Sequence, residues 1–435
     1  MKGRSNAGAW GKRMKVAIVC DWLTNVGGAE KVLLRFHRLY PEAPIYTSKY
    51  SPKGISWFDD ADVRTGWMQI FPAKLRRVLG PLRQFYFSHL DLSEYDLIIS
   101  VTGAEAKSVK SGKRLHEEGK KSKNSKGIHI SYCHVPTQYY WQMYDSYLED
   151  PGFGMLNGIV RCFFRLMVKP LRRADYKAAQ NPDYFVTISN YAKDSIRKYY
   201  DRGATVVHPP VEIEDFKQGN KNKKSQEEEA AKLNNKIIKS QGKGNNKSGN
   251  GPEKSQDGDC SQAVENFDIT KSYIVTSRQV NWKRLDLAVG ACLKLGRPLL
   301  VVGEGPEHNK LVKMAGDSGL IRFLPLTDKK NLALLLQNAK GYLFPSLEPF
   351  GIAPVEALAA GCPVIAFSEG GAKDYIVDGE NGALFKEQTV DSLSQAINRF
   401  EKMKFERAKI VKSAEGFSMK RFDKEILDYV KEKLK

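Results

Sequence analysis

The sequence predicts an α/β protein built from two parallel-sheet domains in series. Three observations carry that expectation. Apolar strand-like runs alternate with longer helical stretches through residues 14–210. The alternation restarts near Tyr273. The stretch between, residues 217–266, is rich in Lys, Asn, Gln, Gly, Ser and Glu and nearly empty of large apolar side chains. Two successive strand–helix series imply two parallel sheets covered by helices. The cleft between two such domains is the expected ligand site.

Residues 1–13 are expected to be a loose N-terminal extension. The first strand is Val16–Cys20. Asp21-Trp22 closes it too early for a signal sequence. Ile45–Thr47, Leu97–Val101, Ile128–Cys133, Phe185–Ile188 and Val206–His208 continue an N-terminal domain over 14–216. Residues 107–127 (KSVKSGKRLHEEGKKSKNSKG) are expected to be a basic, solvated insertion loop. Residues 217–266 cannot bury enough apolar surface to offset their ordering entropy, so a disordered insertion in the linker is expected. The second domain, 267–419, is expected to use Tyr273–Thr276, Leu299–Val302, Ile321–Leu324, Tyr342–Pro345 and Val364–Phe367 as strands. A closing helix is expected over 420–435.

Two segments mix bulky apolar and basic residues: Met68–Leu92 and Met155–Tyr176. Interfacial helices have this composition, and so do ordinary amphipathic helices packed on a sheet. Membrane contact is expected of at most one of them.

With 435 residues and 41% apolar content, the chain can build two cores. Its cysteines (Cys20, Cys133, Cys162, Cys260, Cys292, Cys362) are scattered and form no CxxC pair. That argues against a zinc ribbon or disulfide framework and for a reduced, cytoplasmic setting. No apolar run approaches the roughly 18 residues of a membrane span. The net charge is +19. Residues 1–216 hold 33 basic and 22 acidic residues, or +11, and carry most of the excess. A basic face can meet an anionic membrane or nucleic acid, or serve only solubility. No nucleic-acid-binding motif accompanies it.

The most informative stretch is Glu348-Pro-Phe-Gly-Ile-Ala-Pro-Val-Glu356. It sits between a strand and a short helix that Pro354 can help start and Gly361 can end. Ligands of parallel sheets bind beyond the carboxyl ends of the strands. There the free N–H groups of Phe350 to Ala353 suit an anion. An anion flanked by two carboxylates that can hold hydroxyls describes a sugar nucleotide. Three further turns fall after strands. Asn25-Val-Gly-Gly-Ala-Glu30 lets the backbone approach a ligand, although ordinary turn chemistry would use the same residues. Ser277-Arg278 to Lys283-Arg284 brings cations to a strand end, where a leaving diphosphate needs positive charge. His134-Val-Pro136 follows the fourth strand-like run.

Two glutamates with seven residues between them, Phe-Gly among these, and EALAAGCPVIAF at the second, resemble the retaining GT-B glycosyltransferases of family 4. The opening Cys20-Asp-Trp-Leu-Thr with Gly27-Gly28-Ala-Glu-Lys, and the Cys133-His134-Val-Pro136 turn, resemble the mannosyltransferase-like members of lipopolysaccharide and exopolysaccharide assembly. The resemblance implies two Rossmann-like domains facing a cleft and a C-terminal helix crossing back to the first. It implies that Arg278 and Lys283 bind the donor diphosphate together with the amides of Phe350, Gly351 and Ile352. Glu348 would hold sugar hydroxyls, Glu356 the ribose, and Gly27 and Gly28 the donor phosphate. His134 would approach the sugar near its reacting end. The implied donor is a nucleotide-diphosphate sugar, GDP-mannose by resemblance. The implied acceptor is a glycan or lipid-linked glycan, with a peripheral contact to an anionic membrane.

No cofactor or metal is expected. Asp60-Ala-Asp62 and Asp257-Gly-Asp259 mimic a metal-binding DxD triplet but fall between elements and in the linker. The alternatives are an epimerase or glycogen-synthase-like enzyme on the same fold, or a basic nucleic-acid-binding protein.

Overall fold

The computed structural model describes residues 14–72, 79–149, 157–217 and 267–435. The expectations for residues 1–13 and 218–266, and for parts of the two apolar–basic segments, fall outside the described residues. The chain divides into two units, Met1–Pro210 with Phe422–Lys435, and Val211–Arg421.

The first unit runs β1 (Val16–Cys20), α1 (Gly28–Leu39), β2 (Ile45–Thr47), β3 (Val63–Arg64), α2 (Gly80–Ser88) and β4 (Leu97–Thr102). It continues with α3 (Gly112–Glu117), β5 (Ile128–Cys133), α4 (Tyr144–Glu149), α5 (Asn157–Ala178), β6 (Tyr184–Thr187), α6 (Asn190–Tyr200) and β7 (Thr205–Val206). The strands pair in parallel in the order β3-β2-β1-β4-β5-β6-β7. Every residue of β1, β4 and β5 is buried. Burial of both faces is usual for strands of a parallel sheet; β1 meets it with an apolar run, whereas the buried polar residues Ser100 and Thr102 of β4 and His129 and Ser131 of β5 are hydrogen-bonded within the core.

The second unit holds β8 (Tyr273–Thr276), α7 (Leu285–Leu295), β9 (Leu299–Val302), α8 (His308–Ala315), β10 (Ile321–Leu324) and α9 (Lys329–Asn338). Then come β11 (Gly341–Phe344), α10 (Ile352–Ala359), β12 (Val364–Phe367), β13 (Gly382–Phe385), α11 (Val390–Phe400) and α12 (Arg407–Ser413). The sheet order is β10-β9-β8-β11-β12-β13, again parallel. Residues Val211–Lys217 belong to this unit, tied by the Val211 N–H to the Phe417 carbonyl at 2.9 Å. The side chains of Ser189, Asp328 and Thr389 cap α6, α9 and α11 by accepting a backbone N–H.

The last helix, α13 (Met419–Lys433), returns the chain to the first unit from Phe422 onward. Phe422 is fully buried, edge-on to Phe36 at 5.5 Å and Tyr132 at 5.8 Å. Beside it Asp423 accepts both guanidinium hydrogen bonds of Arg35. Burying one such phenyl ring stabilises by about 2–3 kcal/mol, and the fork-shaped ion pair sets the helix's register.

The structure changes several expectations. β3 and β13 were not anticipated. The first is two residues long at a sheet edge, and the second follows a glycine- and asparagine-rich turn. Pro345 lies just beyond β11. Residues 107–127 are not a solvated loop throughout, because residues 112–117 form α3 and Lys107 is buried. The Lys107 ammonium donates to Asp175 at 2.6 Å and to the Thr137 hydroxyl at 3.1 Å. Burial opposes its charge, but Asp175 holds it above the usual lysine value. Asp175 also accepts from the Trp141 indole at 2.7 Å and the Tyr200 hydroxyl at 2.8 Å. Partners contributed by distant parts of the chain make this lysine internal. Its local sequence reads as surface.

Two histidines of β5 and its end predict a pH dependence. Burial pushes His129 and His134 each down to about 4. In the unfolded chain both titrate near the ordinary value of about 6.5. Between those values the unfolded state binds protons that the folded state refuses, so stability falls as pH drops from about 6.5 toward 4. Two protons correspond to a slope of up to about 2.7 kcal/mol per pH unit. Denaturant unfolding between pH 7.5 and 5 measures it. Uptake of less than one proton on unfolding at pH 5.5 would show that these imidazoles titrate in the folded state.

Candidate active site

In the second unit, chain direction across the sheet reverses between β8 and β11. The loops that leave the carboxyl ends of the strands at such a reversal are the usual ligand position in an open parallel sheet. The loop after β8 carries Ser277 to Lys283, and the loop after β11 carries Ser346 to Gly351. Four of the expected donor residues therefore line one strand end: Arg278, Lys283, Glu348 and Gly351.

The centre of this site is an ion pair. The Lys283 ammonium donates to Glu348 Oε1 at 2.5 Å, and the Ser346 hydroxyl donates to the same oxygen at 2.8 Å. Both charged side chains are mostly but not fully covered, at 17% and 15% exposure. The ammonium also lies 4.4 Å from the centre of the Trp282 ring, which favours the cation. Arg278 is exposed, and no carboxylate pairs with it among the described residues. Arg284 instead bridges to Asp286 at 3.2 Å.

The backbone under Glu348 is held from below. The Gly371 N–H donates to the Glu348 carbonyl at 2.8 Å. A Cβ at Gly370, whose φ is +82°, would stand 2.4 Å from that carbonyl oxygen. Gly351 has φ +91°, and a Cβ there would lie 2.6 Å from the Phe344 ring. Only glycine meets both demands without strain. Gly351 leads into α10, whose start has no side-chain cap. Uncapped N–H groups at a helix start favour an anion. The Tyr375 hydroxyl fixes this turn by donating to the Phe350 carbonyl at 2.7 Å. Phe350 itself is buried, Ile352 is half-buried, and Glu356 is buried within α10.

The other expected residues lie in the first unit. Gly27 is extended, with φ −161°, and precedes α1, which begins at Gly28. His134 follows β5, with its N–H on the Thr102 carbonyl at 2.8 Å and its ring edge-on to Tyr132 at 5.7 Å. Its Nε2 is buried without a hydrogen-bond partner among the described residues. At the reversal between β1 and β4 stands Asp21, to which sequence reasoning gave no role beyond ending a strand. Its carboxylate accepts from the Thr102 hydroxyl at 2.9 Å, the Gly103 N–H at 3.0 Å and the Ala106 N–H at 2.7 Å. Burial, and next the nearby Glu105, raise its pKa against these donors. Asp62 pairs with Arg64 at 2.7 Å and Asp60 lies 3.3 Å from His37. Asp257 and Asp259 fall outside the described residues. Among the described residues no three His, Cys, Asp or Glu side chains group as metal ligands.

Residues 261–417 match the model of a protein family, the glycosyl transferases group 1. The matched segment contains the whole Arg278–Lys283–Glu348–Glu356 site. Sequence relatives match part of the chain's length. The D-inositol 3-phosphate glycosyltransferase of Mycobacterium leprae is 33% identical over 127 residues, which cover 27% of this chain and 30% of that protein. The phosphatidyl-myo-inositol mannosyltransferase of Mycolicibacterium smegmatis is 36% identical over 102 residues, covering 23% and 26%. The chain thus matches less than a third of the length of these relatives. In overall architecture it is similar to Anabaena Alr3699/HepE, crystallised in complex with UDP, with a TM-score of 0.62 and 17% identity over 96% of this chain and 100% of that one. The fold is GT-B, with two Rossmann-like parallel-sheet units.

Proposed function

We propose that the protein is a retaining, metal-independent glycosyltransferase that uses a nucleotide-diphosphate sugar. The observation that carries this reading is the Lys283–Glu348–Ser346 cluster beside the uncapped start of α10. The diphosphate takes the cation side, on Arg278, Lys283 and the amides near Gly351. Glu348 takes sugar hydroxyls and Glu356 the ribose. In the first unit, His134 and the Gly27–Gly28 turn are assigned to ligand contact. An imidazole held at about 4 stays neutral near pH 7, so it offers a hydrogen bond without charge.

In the transfer, the bond from the anomeric carbon to the diphosphate oxygen breaks. A bond to an acceptor hydroxyl oxygen forms on the same face, and the hydroxyl proton passes to the leaving phosphate. Arg278 and Lys283 stabilise the charge that develops on that phosphate. A hexose is the proposed group, mannose by resemblance and by the likeness to a mannosyltransferase. The proposed acceptor is a glycan or lipid-linked glycan of cell-surface polysaccharide synthesis. The enzyme is placed in the cytoplasm, touching the inner face of an anionic membrane. No described helix is long and apolar enough to cross a membrane.

A ligand that binds only the folded state raises the melting temperature. A screen with GDP-, UDP- and ADP-sugars, each with and without EDTA, is expected to show one base raising it in both conditions. If no nucleotide sugar does so, the reading fails. A shift abolished by EDTA and restored by Mg²⁺ or Mn²⁺ would overturn metal independence alone.

A further inference from the structure

The two apolar–basic segments meet in the structure. On α2, Leu82 and Phe85 are 41% and 55% exposed, while Arg83, Tyr86 and Phe87 on the opposite side are buried. On α5, Ile159 and Leu166 are 71% and 73% exposed, while Val168, Leu171 and Asp175 face inward. The Gln84 side chain of α2 donates to the Ala174 carbonyl of α5 at 2.8 Å. At about 100° per residue, Gln84 and Ala174 each fall at the margin of their helix's exposed stripe. The two stripes therefore adjoin across this hydrogen bond.

Among the residues of α2 and α5 themselves, the exposed charge has one sign. Of the basic residues of α5, Arg161 and Arg172 are tied down, donating to the carbonyls of Glu149 and Tyr140. Arg165, Lys169, Arg173 and Lys177 are exposed, and none pairs with a carboxylate among the described residues. The helix's single acidic residue, Asp175, is buried against Lys107. A second copy of the chain would bring the same four cations together, because a two-fold interface is self-complementary. An anionic lipid surface satisfies both features. Exposed apolar side chains enter the boundary between headgroups and acyl chains, while the basic rows remain among the phosphates.

We propose that α2 and α5 together form one docking face for an anionic membrane, with the roughly 33 Å length of α5 lying in the interface plane. This specifies the membrane contact of the proposed function. It also makes both apolar–basic segments parts of one face.

The test uses the full chain with phosphatidylcholine vesicles, with and without phosphatidylglycerol, at low and high salt. A basic residue near an anionic surface contributes about 1 kcal/mol, roughly fivefold in partitioning. The Lys169→Gln/Arg173→Gln double variant is thus expected to bind anionic vesicles about 25-fold more weakly at low salt. Leu82→Ser/Phe85→Ser and Ile159→Ser/Leu166→Ser should each also weaken binding. Cys162 is exposed on α5, and the other described cysteines are buried. In a Cys260→Ser background, a polarity-sensitive dye on Cys162 should shift to the blue with anionic vesicles only.

Equal binding of wild type to neutral and anionic vesicles would overturn the proposal. So would wild-type partitioning by all three double variants, or lipid-free self-association that shields Cys162. The nucleotide-induced melting shift, measured on the same proteins, reports folding and donor binding separately. Loss of that shift with vesicle binding intact would count against the glycosyltransferase reading and not against the docking face.

Discussion

Glu348→Gln is expected to lower glycosyl transfer by roughly 10²-fold or more, the scale of losing one transition-state contact, while leaving the fold intact. The substitution keeps shape and hydrogen-bonding reach but removes the charge. The site is organised around that charge. Lys283 approaches Oε1 to 2.5 Å, Ser346 donates to the same oxygen, and Gly370 and Gly371 press the supporting backbone into place. A glutamine leaves the ammonium without its carboxylate and weakens the grip on sugar hydroxyls. Steady-state rates with the nucleotide sugar found in the screen give the loss. A melting temperature close to wild type would attribute it to chemistry rather than to folding. Near-normal turnover would remove Glu348 from the site.

Arg278→Ala and Lys283→Ala are expected to weaken nucleoside diphosphate binding about tenfold or more each. A hydrogen bond to a charged group contributes about 1.5–3 kcal/mol, and tenfold corresponds to about 1.4 kcal/mol. The two losses have different causes. Arg278 is exposed and has no carboxylate partner among the described residues, so its removal deletes a phosphate contact. Lys283 already neutralises Glu348, so its removal also leaves a carboxylate facing the incoming phosphates. Combining Lys283→Ala with Glu348→Gln should therefore cost less than the sum of the single changes, by an interaction energy of about 0.5–3 kcal/mol. Calorimetry of the four proteins forms the cycle. Unchanged affinity in both alanine variants would end the diphosphate assignment, and strict additivity would end the coupling.

Much of the fold was legible because parallel sheets write themselves as buried apolar runs. Val16–Cys20, Ile128–Cys133, Tyr273–Thr276, Leu299–Val302, Ile321–Leu324 and Val364–Phe367 are strands with the bounds read from sequence. β3 escaped because an edge strand of two residues leaves no apolar run to read, and β13 because its short run Gly382–Phe385 follows directly on the turn Asp378-Gly-Glu-Asn381. The motif Glu348–Glu356 was legible for a related reason. A turn with φ of +91° demands glycine at 351, and the helix that follows it carries Pro354 in its first turn and buries Glu356.

The amino-acid sequence alone determined the two strand–helix series, the strand ends from which the candidate groups project, and the residue types suited to a sugar nucleotide. Tertiary structure decided which groups meet. Lys283 and Glu348, 65 residues apart, form one ion pair because β8 and β11 are neighbours where the chain reverses across the sheet. Lys107 is internal because Asp175, 68 residues away, meets it in the core. The α2 and α5 stripes adjoin because Gln84 reaches Ala174. Local propensity and periodicity report what a residue does to its own element. Pairing, burial and charge compensation depend on chain segments that only the folded sheet order brings together.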